Sequence, residues 1–184
     1  MDSYSTTAKK TSGEFERITP GLHQAVCVGV HGLGLQKSAY QGVERIVPKV
    51  RLIWELKKKD SKGTPFFITK TYTLSLNEKS TLFKDLKDWR GKAFTAEELE
   101  AFEVKNVEGA NCMLNIVFEN EYTNVSSISP LIEDAIVIKK SVDVPEGIIN
   151  KVREKQNNAV SENYSYEAET ELLDSDPPIG GVPF

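Results

Sequence analysis

The 184 residues, 39% hydrophobic and 27% charged with a formal net charge of -4, suit one compact core plus some unpacked sequence and exclude two full domains. No stretch approaches the about 18 apolar residues of a membrane helix, and residues 1–13 are polar, so a soluble, unexported, cytoplasmic protein is expected, with no membrane partner. Cys27 and Cys112 both fall in apolar segments, which predicts buried free thiols in a reducing compartment, not a disulfide.

Residues 1–20 lack periodicity and read as a flexible N-terminal arm ending in the turn chemistry of Pro20 and Gly21. Residues 22–31 alternate Val26, Val28 and Val30 against Ala25, Cys27 and Gly29, the period-2 pattern of a strand. Residues 32–43 are glycine-rich and irregular, and are expected to form a long hairpin loop. The alternation resumes over 47–56, with Val50, Leu52, Trp54 and Leu56 on one face and Lys49, Arg51, Ile53 and Glu55 on the other. Residues 57–65 follow as a charged turn, and 66–74, dense in Thr and aromatics, as a third strand.

The period then lengthens. Leu82, Phe83, Leu86 and Trp89 recur at helical spacing from residue 77 onward, with Gly91 as the C-terminal cap. Thr95 to Glu98 forms a capping-box pattern, predicting a second short helix to about Phe102. Residues 111–118 and 122–128 read as strands, and 135–138 as one more. Three strands, a helical insertion, then two or three strands describe a mainly β domain over 21–145: an OB-fold five-stranded barrel with a helical insertion after the third strand, for which a β-sandwich is the rival. Residues 146–160 are a short helix or linker. Residues 161–184, polar, acidic and holding Pro177, Pro178, Gly180 and Gly181, are expected to be a disordered acidic C-terminal tail.

Charge placement says more than the total. Residues 37–92 hold 14 Lys and Arg against 6 Asp and Glu, whereas 161–184 hold six acids and no base. Single strands are gripped by a cationic groove for phosphates and by π-faces for bases. The basic middle interleaves both, so Lys37, Tyr40, Arg45, Lys49, Arg51, Phe66, Lys70 and Tyr72 are the candidate nucleic-acid contacts. Trp54 and Trp89 share faces with aliphatic residues and are assigned to the core. The acidic stretch leading into Pro183 and Phe184 makes Asp174, Asp176, Pro183 and Phe184 candidates for partner binding, since an apolar ring beside a carboxylate suits a pocket with a basic rim. The same stretch can occupy the basic groove when nucleic acid is absent.

Enzyme signatures do not assemble. Gly29, Gly32 and Gly34 lack the dinucleotide-binding order and no helix follows them. On a strand, His23, Cys27 and His31 stand roughly 13 Å from one another in succession, too far to share an ion. Glu97, Glu98, Glu100 and Glu103 read as a solvated helix face. No catalytic residue, metal or cofactor is therefore assigned, and a small hydrolase or nuclease is disfavoured because no carboxylate cluster lies on a strand face to hold its metal.

Three stretches carry a resemblance: Thr71-Tyr72-Thr73-Leu74-Ser75-Leu76-Asn77-Glu78-Lys79-Ser80, Asp88-Trp89-Arg90-Gly91-Lys92, and Ser127-Ile128-Ser129-Pro130-Leu131. Through them the body, over residues 21–140, resembles tailed-phage single-stranded DNA-binding proteins. The ending Val182-Pro183-Phe184 is similar to the tips of bacterial single-stranded DNA-binding proteins, although here residues 177–182 separate the last acid from the tip. The resemblance implies an OB fold, DNA bound with little sequence preference during phage replication or recombination in the host cell cytoplasm, and replication or recombination proteins as partners of the tail. The alternative is a phage structural or protein-interaction module with an OB-like barrel.

Overall fold

The computed structural model describes residues 16–40 and 42–160. Strands β1 (Gly21–Tyr40), β2 (Val43–Lys59) and β3 (Pro65–Thr73) come first. Helices α1 (Thr81–Arg90) and α2 (Ala96–Ala101) and a 3-10 turn (Val104–Val107) follow. Then come β4 (Asn111–Glu119), β5 (Tyr122–Ser129) and α3 (Glu146–Asn157). The strands make one antiparallel sheet in the order β3-β2-β1-β4-β5. The chain is thus mainly β, with its helical insertion after the third strand. Among the described residues no ladder joins the edge strands β3 and β5, but their Cα atoms approach within 8 Å.

Alternation along β2 decides which side is inside. Val50, Leu52, Trp54 and Leu56 are buried, with Ala25 and Cys27 of β1, Ile68 and Tyr72 of β3, and Cys112, Leu114 and Ile116 of β4 in the same cluster. Trp54 and Trp89 are core residues, their ring centroids 6.0 Å apart. Both thiols are free and buried; burial, which disfavours the thiolate, pushes Cys27 up to about 12 and Cys112 higher still.

Helix α1 closes one end of this core through Leu82, Leu86 and Trp89. It begins at Thr81, later than the apolar spacing suggests, because Ser80 caps it: Ser80 Oγ accepts from Phe83 N at 3.1 Å. Residues 77–80 are held as a turn by Ser80 N donating to Asn77 O. Gly91 ends the helix at φ 71, donating its N–H to Lys87 O and Asp88 O. An added Cβ there would meet Pro130 Cγ at 2.9 Å, whereas at Gly109, also at positive φ, it would meet nothing within 4 Å. Gly91→Ala should therefore lose about 1–2 kcal/mol of stability in urea titration, and Gly109→Ala less, since only the first adds a clash to the left-handed strain. The capping box of α2 forms between Thr95 and Glu98. The Arg90 guanidinium, then the Thr95 N–H, hold the Glu98 carboxyl down at about 2.

Three expectations fail. Residues 32–43 are not a loop: β1 runs on to Tyr40 and pairs with β2 to the end, Tyr40 opposite Val43. Register shifts between Cys27 and Gly29 and between Gly32 and Gly34 break the alternation that sequence reading depends on, and Gly34 takes φ 69. Beyond them the two-stranded arm has no buried face to impose a pattern. The charged turn is also shorter than 57–65, because β2 continues through Lys59 and only residues 60–64 turn, with Asp60 Oδ1 accepting from Lys62 N and Thr64 N. Finally, 135–138 is not a strand. It is clasped by side chains, Asn111 bonding both ways with Ile138 at 2.8 and 2.9 Å and Gln24 donating to Ile136 O at 2.6 Å.

Candidate nucleic-acid interface

The ladder between β2 and β3 separates the candidate contacts onto opposite faces. Tyr72 pairs with Val50, Lys70 with Leu52 and Ile68 with Trp54, so these β3 residues share the inward face; Lys49 and Arg51 pair with Thr73 and Thr71 on the outward one. Tyr72 is 3% exposed. Its hydroxyl donates to Asp85 Oδ2 at 2.8 Å, and Lys70 Nζ binds the same oxygen at 2.7 Å while standing 5.2 Å from the Tyr72 ring centroid. Burial and then the charge of Asp85 push the Tyr72 phenol far above its usual range. Phe66 is half-buried against the same core. Lys70 and Tyr72 tie β3 to α1 through Asp85, and the Tyr72 ring, 3% exposed, offers no free face to a base. Equal spacing along β3 concealed this, since parity alone does not say which face is buried.

The outward face keeps the cations. Lys49 Nζ donates to Ser38 Oγ at 3.0 Å and Arg51 Nε to Thr71 Oγ1 at 3.0 Å. These neutral partners fix where the charges stand without cancelling them. Arg45, exposed in the arm, shares this face with Lys49 by alternation along β2, and Ser38 pairs with it. Lys37 pairs with Ile46 and so stands on the arm's other face, exposed. Tyr40 is placed by its backbone register alone, opposite Val43. The partner-binding candidates Asp174, Asp176, Pro183 and Phe184 lie outside the described residues.

Two rings outside the candidate set are exposed among the described residues: Tyr122 at 73% and Phe118 at 49%. They flank the two-residue turn Asn120-Glu121, both at positive φ, which projects the β4–β5 hairpin past the core. The Arg17 guanidinium lies 5.8 Å from the Phe118 ring centroid. Lys58 Nζ donates to Thr19 Oγ1 at 2.8 Å, and Ser61 N to Glu16 Oε2 at 2.9 Å. Residues 16–19 thereby link Lys58, near the end of β2, to the Phe118 side of the hairpin, while Tyr122, paired with Glu119, faces the other way. Phe118 has the parity of Cys112, Leu114 and Ile116, so alternation assigns it to the core; its place two residues before the Asn120-Glu121 turn is the signal that points to solvent.

Much of the outward face is covered. Helix α3 lies along β1, where Val152 meets Leu33 and Ile53 in a second cluster ringed by Val28, Phe67, Val144, Ile148 and Ile149. Between β5 and α3 the chain is pinned by Glu55, 3% exposed, whose carboxylate accepts from Ser141 N and Oγ. Among the described residues no three His, Cys, Asp or Glu side chains gather as metal ligands, and no helix is long and apolar enough to cross a membrane. Comparison with protein-family models, curated proteins and solved structures finds no match.

Proposed function

We propose that the chain is a non-enzymatic, sequence-independent single-stranded DNA-binding protein built on an OB barrel, protecting unpaired DNA during phage replication or recombination. The barrel is supported by the strand order β3-β2-β1-β4-β5, by the approach of β3 to β5, and by α1 sealing the end of the core. That connectivity is the one an OB barrel closes by bringing its third and fifth strands together. The observation that carries the function is the outward strip Arg45, Lys49 and Arg51 leading into the arm, together with the exposed rings of the β4–β5 hairpin, Phe118 with the Arg17 guanidinium over it and Tyr122. Cations for phosphate and rings for bases are the two needs of single-strand binding. Residues 161–184 supply the partner contact for replication or recombination proteins, through Asp174, Asp176, Pro183 and Phe184.

Titrating fluorescent oligo-dT at several salt concentrations tests this. Affinity should fall linearly in log–log form, with a slope near -0.7 per phosphate neutralised, and duplex of equal length should bind more weakly. No binding to oligo-dT in dilute buffer overturns the proposal. The exposed Ile136 (77%) and Val137 (65%) favour a second reading, a phage structural or protein-interaction module; self-association with no oligo-dT binding is its expected signature.

A further inference from the structure

We infer that α3 is a displaceable cover over the outward face, which the DNA strand must lift to reach its full site. This rests on the single-strand reading above. The main core lies on the inward side of the sheet and α3 adds nothing to it. The helix buries its own small cluster, Leu33, Ile53 and Val152, on the other side. Lifting α3 therefore opens that cluster and leaves the main core whole.

Ile53 lies next along β2 from Arg51 on the same face, so α3 covers the apolar face that adjoins the cationic strip. The attachment is sparse. Gln36 Nε2 donates to Lys155 O at 2.8 Å, Gln156 Nε2 to Gly32 O at 2.7 Å, and Val160 N to Leu35 O at 2.9 Å. The start of the helix, at Pro145, has no side-chain cap, and twelve residues are marginal as a helix without a surface to pack on. The pivot is built in as well. Glu55 holds Ser141 and Asn111 holds Ile138, so the chain before the helix stays fixed while residues 142–145, exposed apart from Val144, can swing.

The bridge between Leu35 and Val160 offers a reversible lock. Leu35→Cys with Val160→Cys should oxidise to a disulfide that holds α3 down, and the native thiols, buried and with Cys27 pushed up to about 12, should stay out of the exchange. The reduced variant should bind oligo-dT as the wild type does and the oxidised one at least about tenfold more weakly, because locking removes the competent fraction. In the wild type, amide hydrogens of residues 149–157 should exchange faster once oligo-dT is bound. Equal affinity of the two redox forms, or α3 amides whose exchange DNA leaves unchanged, overturns the cover while leaving the single-strand reading standing. Absence of binding in the wild type and in both forms of the variant overturns the single-strand reading and the cover with it.

Discussion

Trp54→Ala is expected to lower the unfolding free energy by about 3–5 kcal/mol, the range for emptying a fully buried aromatic site. Trp54 is 0% exposed at the centre of β2, between Cys27 of β1 and Ile68 of β3 in register, with Trp89 of α1 against its ring. Sheet strands on either side cannot collapse into the gap without breaking their ladders, so the cavity persists. Stability of the whole domain is on the order of 5–15 kcal/mol, and the loss should be visible as a large drop in the urea midpoint followed by circular dichroism. Trp54→Phe separates two contributions. The indole Nε1 is buried without a hydrogen-bond partner among the described residues, a burden of roughly 1–3 kcal/mol. Phenylalanine removes that donor while keeping most of the ring, so its loss should be well under half that of alanine. Equal losses would mean that the site relaxes around either residue and that Trp54 is not the keystone of the core.

How far the chain can be read without coordinates depends on whether burial enforces the pattern. Along β2, Val50 to Leu56 alternate because one face meets the main core, and that strand, its inward face and the core role of Trp54 and Trp89 were all legible. The cap at Gly91 and the capping box at Thr95 were legible too, since both are local chemistry. The arm was not: past Gly34 neither face is buried, and a ladder of backbone bonds leaves no mark on the choice of side chain. The covered outward face was partly concealed for the opposite reason. Ile53 and Glu55 are buried by α3 and by Ser141, partners about a hundred residues away in sequence. At the candidate site, Lys49 and Arg51 were correctly assigned to one face of β2. Lys70 and Tyr72 are shown to be inward only by their pairing with Leu52 and Val50, a register that no single-strand pattern contains.

The double charge reversal Lys49→Glu with Arg51→Glu should cut oligo-dT affinity on the order of a hundredfold near physiological salt, about 2.7 kcal/mol. It should also shallow the salt dependence by about 1.4 in slope, two phosphate contacts at about 0.7 each. The fold should tolerate it. Both side chains sit on the outward face and bond only to the hydroxyls of Ser38 and Thr71, which can donate to a carboxylate as readily as they accept from a cation. A hydroxyl partner leaves the charge uncompensated, unlike Lys70, whose charge is already spent on Asp85. Lys92→Glu with Lys105→Glu imposes the same change in net charge at exposed positions after α1 and in the 3-10 turn. With a screening length of about 8 Å, that pair should weaken binding less than about threefold. If both doubles weaken binding equally, the strand is responding to the charge of the whole molecule, and the strip on β2 is not where it lies.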